Sequence, residues 1–241
     1  MIELDNVTKD FGTTVAVDSL TLHVAKGEIY GFIGPNGAGK TTTIRLMGGI
    51  IEPTSGRIRI GGIDMRKDPV AAKKIIGFVP DRPFLYEKLT GSEFMKFIGD
   101  LYGVERKAIT SGAERLLNQF ALFDWRHEII EAYSHGMKQR LVIAAALLHE
   151  PEVLIIDEPM VGLDPAAVKM VKDIFRTLAA HQVTIFVSTH TLGIAEDLCD
   201  RIGVIHKGKL LAQGTMAELN NAAKTGKAGL EEVFLTLVKE S

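Results

Sequence analysis

The sequence predicts an α/β fold: a mostly parallel sheet with helices on both faces, an N-terminal antiparallel β subdomain, and an inserted helical subdomain. Three observations predict it. Residues 1–24 alternate apolar and polar side chains around a turn near Phe11-Gly12, as antiparallel strands do. Short apolar runs and helix-period segments alternate after residue 150, as in a parallel sheet with crossover helices. Between residues 81 and 150 helical spacing continues with no strand inside it.

Taken in order, residues 28–33 form a short apolar strand that runs straight into Gly34. A helix follows from Gly39 to about Met47, stopped by Gly48-Gly49. Residues 57–60, turned by Gly61-Gly62, return to strand, and residues 75–79 form another strand ended by Pro80. In the inserted part, residues 92–102 and 105–120 carry apolar side chains at helical spacing. Residues 136–149 make a helix that is apolar on most faces, and hence buried. The core resumes with strand 153–157, helix 166–179, strand 183–189, helix 192–198 and strand 201–206. A Lys207-Gly208 turn leads into strand 210–212, and residues 229–239 form a short amphipathic helix. The expected organisation is one unit over 1–241. Its α/β core spans 1–80 and 151–220, the helical subdomain 81–150 and a helical tail 221–241.

With 241 residues, 46% of them hydrophobic, the chain can bury a substantial core. A net charge of −2 argues against a nucleic-acid footprint, and no nucleic-acid partner is expected. One cysteine excludes a disulfide framework; Cys199, in an apolar helical pattern, reads as a small buried side chain. The N-terminus lacks the basic and apolar regions of a signal peptide. The longest apolar run, residues 141–148, falls far short of the ~18 residues needed to cross a bilayer. The expectation is a cytoplasmic protein that serves a membrane only through a partner.

Gly34-Pro35-Asn36-Gly37-Ala38-Gly39-Lys40-Thr41 fits the phosphate-loop pattern G-x-x-x-x-G-K-[ST], and Thr42 continues it into the helix. Glycines let backbone N–H groups converge on phosphate oxygens where a Cβ would obstruct them. Lys40 would reach the β- and γ-phosphates, the Thr41 hydroxyl would ligate Mg²⁺, and the helix N-terminus adds its dipole. The plainer alternative, a Gly-rich strand-to-helix turn, is disfavoured by the complete match. A second motif, Val153-Leu154-Ile155-Ile156-Asp157-Glu158-Pro159, is a buried strand delivering two acids at its C-terminal end, where α/β ligand sites lie. Asp157 would hold Mg²⁺ and Glu158 would activate the attacking water as general base.

Between these motifs stands Tyr133-Ser134-His135-Gly136-Met137-Lys138-Gln139-Arg140. With it the chain resembles, over essentially its whole length, the ATP-binding subunit of ABC transporters, whose signature is usually Leu-Ser-Gly-Gly-Gln. The resemblance implies a P-loop ATPase core that binds ATP and Mg²⁺, hydrolyses ATP, and forms a homodimer or a heterodimer with a second ATPase subunit. It implies that Ser134 and Gly136 face the γ-phosphate of ATP held by the other subunit. A hydroxyl and free N–H groups at a helix start do form an anion site, although Ser134 alone would read as an ordinary N-cap.

The same resemblance implies that Phe11 stacks on adenine and that Gly162-Leu163-Asp164-Pro165 couples the two composite sites. It gives His190 contact with the γ-phosphate and the attacking water. Two departures stand out. Asp81 occupies a position where many relatives carry Gln, which makes it a candidate Mg²⁺ ligand or a coupling residue. His135 and Met137 depart from the usual signature: His135 would point away from the phosphate or else add a titratable donor near it, the former being favoured, and Met137 would weaken a polar contact near the ribose.

A transmembrane permease is the implied partner, with a contact groove that would include Phe84, Leu85 and Tyr86, although packing within the chain accounts equally well for that apolar cluster. That would place the chain on the inner face of the cell membrane. The motif details look most like ATPases of ABC-2-type exporters. An importer subunit, or a non-transport ABC ATPase acting on DNA or ribosomes, is the alternative.

Overall fold

The computed structural model describes residues 1–81 and 85–239. Two sheets organise it. In the first, β1 (Ile2–Asp10) pairs antiparallel with β2 (Val15–Val24), from Ile2 opposite Val24 to Asp10 opposite Val15 with register shifts after Leu4. On the other edge of β1 lies β4 (Ser55–Ile60), followed by β5 (Ile63–Asp64), giving the order β2-β1-β4-β5. Ile2 and Leu4 on β1 and Leu20, Leu22 and Val24 on β2 are buried, so the period-2 pattern marks the inward face.

The second sheet contains β3 (Ile29–Ile33), β6 (Ile76–Val79), β7 (Val153–Asp157), β8 (Thr184–Thr189), β9 (Arg201–His206) and β10 (Lys209–Gly214). Their order is β10-β9-β3-β8-β7-β6, parallel except for the β9–β10 hairpin. Every residue of β3, β7 and β8 is buried, as expected for continuous apolar runs covered on both faces.

Helices cover those faces: α1 (Lys40–Met47), α2 (Pro69–Lys74), α3 (Gly91–Leu101), α4 (Arg106–Gln119), α5 (His135–Ala146), α6 (Pro165–Ala180), α7 (Leu192–Leu198), α8 (Met216–Ala223) and α9 (Leu230–Lys239). Local chemistry sets several starts. Thr90 and Glu93 cap α3 reciprocally, while Asp164 accepts from the Ala167 N–H ahead of Pro165 in the first turn of α6.

Alternate residues of β7 feed two cores. Leu154 and Ile156 face the helical segment, packing with Phe120, Leu141, Ile143 and Phe175. Ile155 faces the other way, into a core shared by Phe32, Phe186, Ile44 and the first sheet's Ile2 and Leu22. A third cluster joins Ile33 and Val204 to Leu219, Leu230 and Val233 on α8 and α9.

The inserted helical segment, the antiparallel N-terminal part and the parallel core match the expected architecture. Two helices, α2 and α8, lie outside that expectation, and the proposed boundary between 220 and 221 falls inside α8. Cys199 is half-buried against two of these cores, and burial pushes its thiol up to about 12. Among the described residues no helix is long and apolar enough to cross a membrane.

Candidate active site

Three strand ends build the site. Because β3 pairs with β8 and β8 with β7, Ile33 lies opposite Thr189 and Asp157 opposite Ser188. The chain therefore leaves the sheet at Gly34, Asp157 and Thr189 on one edge, where the neighbours of β3 are remote in sequence. That crevice is the usual ligand position of an open α/β sheet.

The phosphate loop bridges β3 and α1. A Cβ on Gly34 would run into the Ile205 carbonyl, and Gly39, at φ +109°, passes directly under the Ala16 carbonyl. Both positions need glycine for close approach. Lys40 is only 8% exposed, with Nζ donating to the carbonyls of Gly34 (2.7 Å) and Pro35 (3.1 Å). Burial pulls its ammonium below the ordinary lysine value, against the opposing pull of Glu158 and Asp157. The β9–β10 turn supports the loop, since the Gly208 N–H donates to the Ala38 carbonyl at 2.9 Å.

The carboxylates are held by hydroxyls. Thr41 Oγ1 donates to Asp157 Oδ2 at 2.8 Å, and Ser188 Oγ donates to Asp157 Oδ1. Asp157 is 2% exposed, so these donors satisfy a carboxylate that water barely reaches. A hydroxyl and a carboxylate oxygen side by side are hard donors that fit Mg²⁺, an ion that keeps several waters and completes its shell from phosphate. Glu158 comes next in a left-handed conformation, φ +53°, which costs a non-glycine residue roughly 1–2 kcal/mol. Its N–H donates to the Ser188 carbonyl at 3.1 Å. Its carboxylate accepts from Thr189 Oγ1 at 3.2 Å and meets His190 Nδ1 at 2.7 Å. With Glu158 ionised, Nδ1 is the protonated ring nitrogen.

A cavity of about 610 Å³ gathers residues 36–42 with Asp81, Asp157, Glu158 and His190, bringing most of the sequence-predicted set together. Asp81 also borders a neighbouring groove beside Ile50 and Phe78. Phe11 is not in the wall of the cavity. It is 56% exposed, which excludes a core role, and Lys9 Nζ stands 5.1 Å from its ring centre. Ser134 and Gly136 are also elsewhere. Ser134 caps the start of α5, where its Oγ accepts from the Met137 N–H at 3.2 Å, and His135 and Gly136 beside it are exposed or half-buried.

Met137 lies at the start of α5, two residues after His135. Its side chain is buried among the apolar residues of the helical segment, because its position on α5 turns it inward. Sequence reasoning missed Ser188 and Thr189. The only local signal is a buried apolar strand that ends in two hydroxyls, which must find partners; that those partners are Asp157 and Glu158 follows only from the β7–β8 pairing. It also missed Thr14, Val15, Ala16 and Lys207, which line the cavity from the β1–β2 turn, the start of β2 and the β9–β10 turn. Their types carry no signal of their own.

Comparison with known proteins is decisive. The family described as "ABC transporter" matches residues 17–161. The chain belongs to the ABC transporter family. It is 36% identical over 245 residues to the linearmycin resistance ATP-binding protein LnrL of Bacillus subtilis, covering 99% of this chain and 79% of that one. Identity to the bacitracin transport ATP-binding protein BcrA of Bacillus licheniformis is 41% over 214 residues, 88% of this chain and 69% of that one. A solved ATP-binding subunit of an ABC transporter superposes with a TM-score of 0.93 at 32% identity, covering 99% of both chains. This ABC chain is thus an ATP-binding, ATP-hydrolysing subunit, and its fold implies ATP with Mg²⁺.

Proposed function

We propose that the chain works as one half of an ATPase dimer that drives a membrane permease, in the direction of export. In each site Lys40 binds the β- and γ-phosphates, and Thr41 and Asp157 hold Mg²⁺, which when bound neutralises charge developing on the phosphates. Glu158 takes a proton from the attacking water. His190, hydrogen-bonded to Glu158 at 2.7 Å, would orient that carboxylate and leave its other ring nitrogen for the γ-phosphate. Phe11, exposed at the β1–β2 turn, offers its ring to adenine. Asp81, which lines both the nucleotide cavity and the groove beside Phe78, would ligate the metal side or relay the nucleotide state.

The observation that carries the dimer is the separation of the two halves. The phosphate loop, the carboxylates and His190 share one cavity, whereas Ser134 and Gly136 lie at a helix start outside it. A second chain, identical or homologous, would bring its Ser134 and Gly136 to this chain's γ-phosphate.

Export of antibiotic-like molecules is supported by the names of LnrL and BcrA. The permease would hold the chain on the inner membrane face. The expected permease contact includes Phe84, which lies outside the described residues. Leu85 packs partly against the helical core, and Tyr86 is exposed with its ring edge-on to Phe97 at 5.1 Å.

Complementation tests the split site. Ser134→Arg and Lys40→Ala chains, each inactive alone, should recover ATPase activity when mixed, because one composite site per mixed dimer keeps both halves. A mixture no more active than its parts would overturn the homodimer reading.

A further inference from the structure

Where the usual signature carries glycine, this chain has His135, and its ring lies against the loop at residues 159–164 of the same chain. A Cβ built on Gly162 would collide with Cδ2 of His135 and stand 2.7 Å from its Nε2. The imidazole thus fills the space that any side chain at 162 would need. Gly162 itself holds φ +76°, a conformation that side chains rarely adopt. The contact continues along α5. A Cβ on Gly136 would stand 3.1 Å from the Gly162 carbonyl, and Gln139, 3% exposed, donates from Nε2 to the Pro159 carbonyl at 3.5 Å.

We propose that His135 is a positioning residue, a wedge that sets the 159–164 loop against the start of α5 and so holds Glu158 in its left-handed conformation. Glu158 immediately precedes the loop, whose ends are anchored at Pro159, Met160, Leu163 and Asp164 while the turn between them carries only weak backbone bonds. The Val161 N–H reaches the Glu158 carbonyl at 3.3 Å, and the Leu163 N–H reaches the Met160 carbonyl at 3.3 Å. Met160 is buried with the helical core, and Asp164 is fixed as the cap of α6. Between those anchors the turn at Gly162 has no side chain of its own, and His135 supplies the missing bulk. Removing the ring would let the loop relax and release Glu158 from the orientation its two hydrogen bonds define. The effect passes through the loop, so the imidazole needs no contact with nucleotide. The proposal rests on Glu158 as the general base and adds how that base is kept in place.

Two measurements test it on the full chain. The first is a thermal-unfolding cycle of His135→Gly, Gly162→Ala and the double variant. Backbone strain at 162 is present with or without the ring and cancels in the cycle. A wedge predicts that Gly162→Ala lowers Tm more in the presence of His135 than in its absence; additive shifts would overturn the contact. The second is steady-state ATP hydrolysis. His135→Gly should lower kcat about tenfold, since small misplacement of a catalytic group is costly, with KM for ATP within about twofold. His135→Phe, a ring of similar shape without donors, should recover most of the rate.

An unchanged kcat in His135→Gly would overturn the positioning role. So would a raised KM with failure of His135→Phe, which would assign the imidazole to phosphate contact instead. Absence of ATPase activity in the unmodified chain would instead overturn the functional reading, and the unfolding cycle would still decide the contact.

Discussion

The two ends of this active-site machinery are built differently. At the phosphate loop, Lys40, Thr41, Asp157, Glu158 and His190 are tied to one another or to backbone, on three strand ends whose residues are buried. At the signature turn, Ser134 Oγ serves as a helix cap to the Met137 N–H, 3.2 Å away, and touches none of that catalytic set. Preorganised donors and acceptors cost no rearrangement when charge develops, so chemistry belongs at the first end. A helix start outside the cavity offers N–H groups and a hydroxyl to an anion that arrives from elsewhere. On the proposed function, the difference teaches that the chain would supply a water-activating half and a separate phosphate-binding half.

The largest expected effect breaks the first end. Glu158→Gln keeps the shape and an oxygen acceptor but removes the base, so kcat should fall by about 10²–10⁴-fold. ATP binding should persist, because Lys40 and the loop are untouched. Phosphate release and nucleotide titration check this, and near-normal turnover would remove Glu158 from the role. The same variant should accumulate an ATP-bound dimer if the second end completes the site.

Much of this contrast was legible in the sequence, for physical reasons that differ by element. The phosphate loop and the Asp157-Glu158 strand end are contiguous, and their chemistry demands specific residue types at fixed spacing. Ser188 and Thr189 are harder to see, because their partners lie thirty-one positions away and meet them only through the β7–β8 register. The cap signals for α2 (Asp68 before Pro69) and α8 (Thr215 three residues before Glu218) are present. Both helices are short, so their periodicity is weak and the caps alone do not announce them. The inward turn of Met137 comes from its helix position, which resemblance to a signature does not convey. The His135–Gly162 contact joins segments separated in sequence and leaves no local pattern.

A smaller effect sharpens the view that the first end is preorganised. Ser188→Ala removes the donor to Asp157 Oδ1 and leaves a carboxylate only 2% exposed with one fewer partner. An unsatisfied buried acceptor costs about 1–3 kcal/mol, so the urea midpoint should drop accordingly. Activity should also require more Mg²⁺, since the carboxylate loses one of the two donors that fix its orientation beside Thr41. Stability and Mg²⁺ requirement both unchanged would mean that Asp157 is oriented by Thr41 alone.

The smallest effect on stability tests the second end. As an N-cap, Ser134 contributes roughly 1 kcal/mol, so Ser134→Ala should lower Tm by only a few degrees. Aspartate caps helices as well as serine does, so Ser134→Asp should restore that stability. A carboxylate at 134 would nevertheless repel an incoming triphosphate, at the point where serine would donate to it. The two readings of Ser134 therefore diverge in one substitution. If the turn is only a cap, Ser134→Asp is stable and active. If it completes the neighbouring chain's site, Ser134→Asp is stable and inactive, and an unmodified signature half supplied by a Lys40→Ala chain restores turnover. Unfolding and ATPase measurements on the same preparations separate the outcomes, because only the phosphate-facing role lets activity fall while stability is kept.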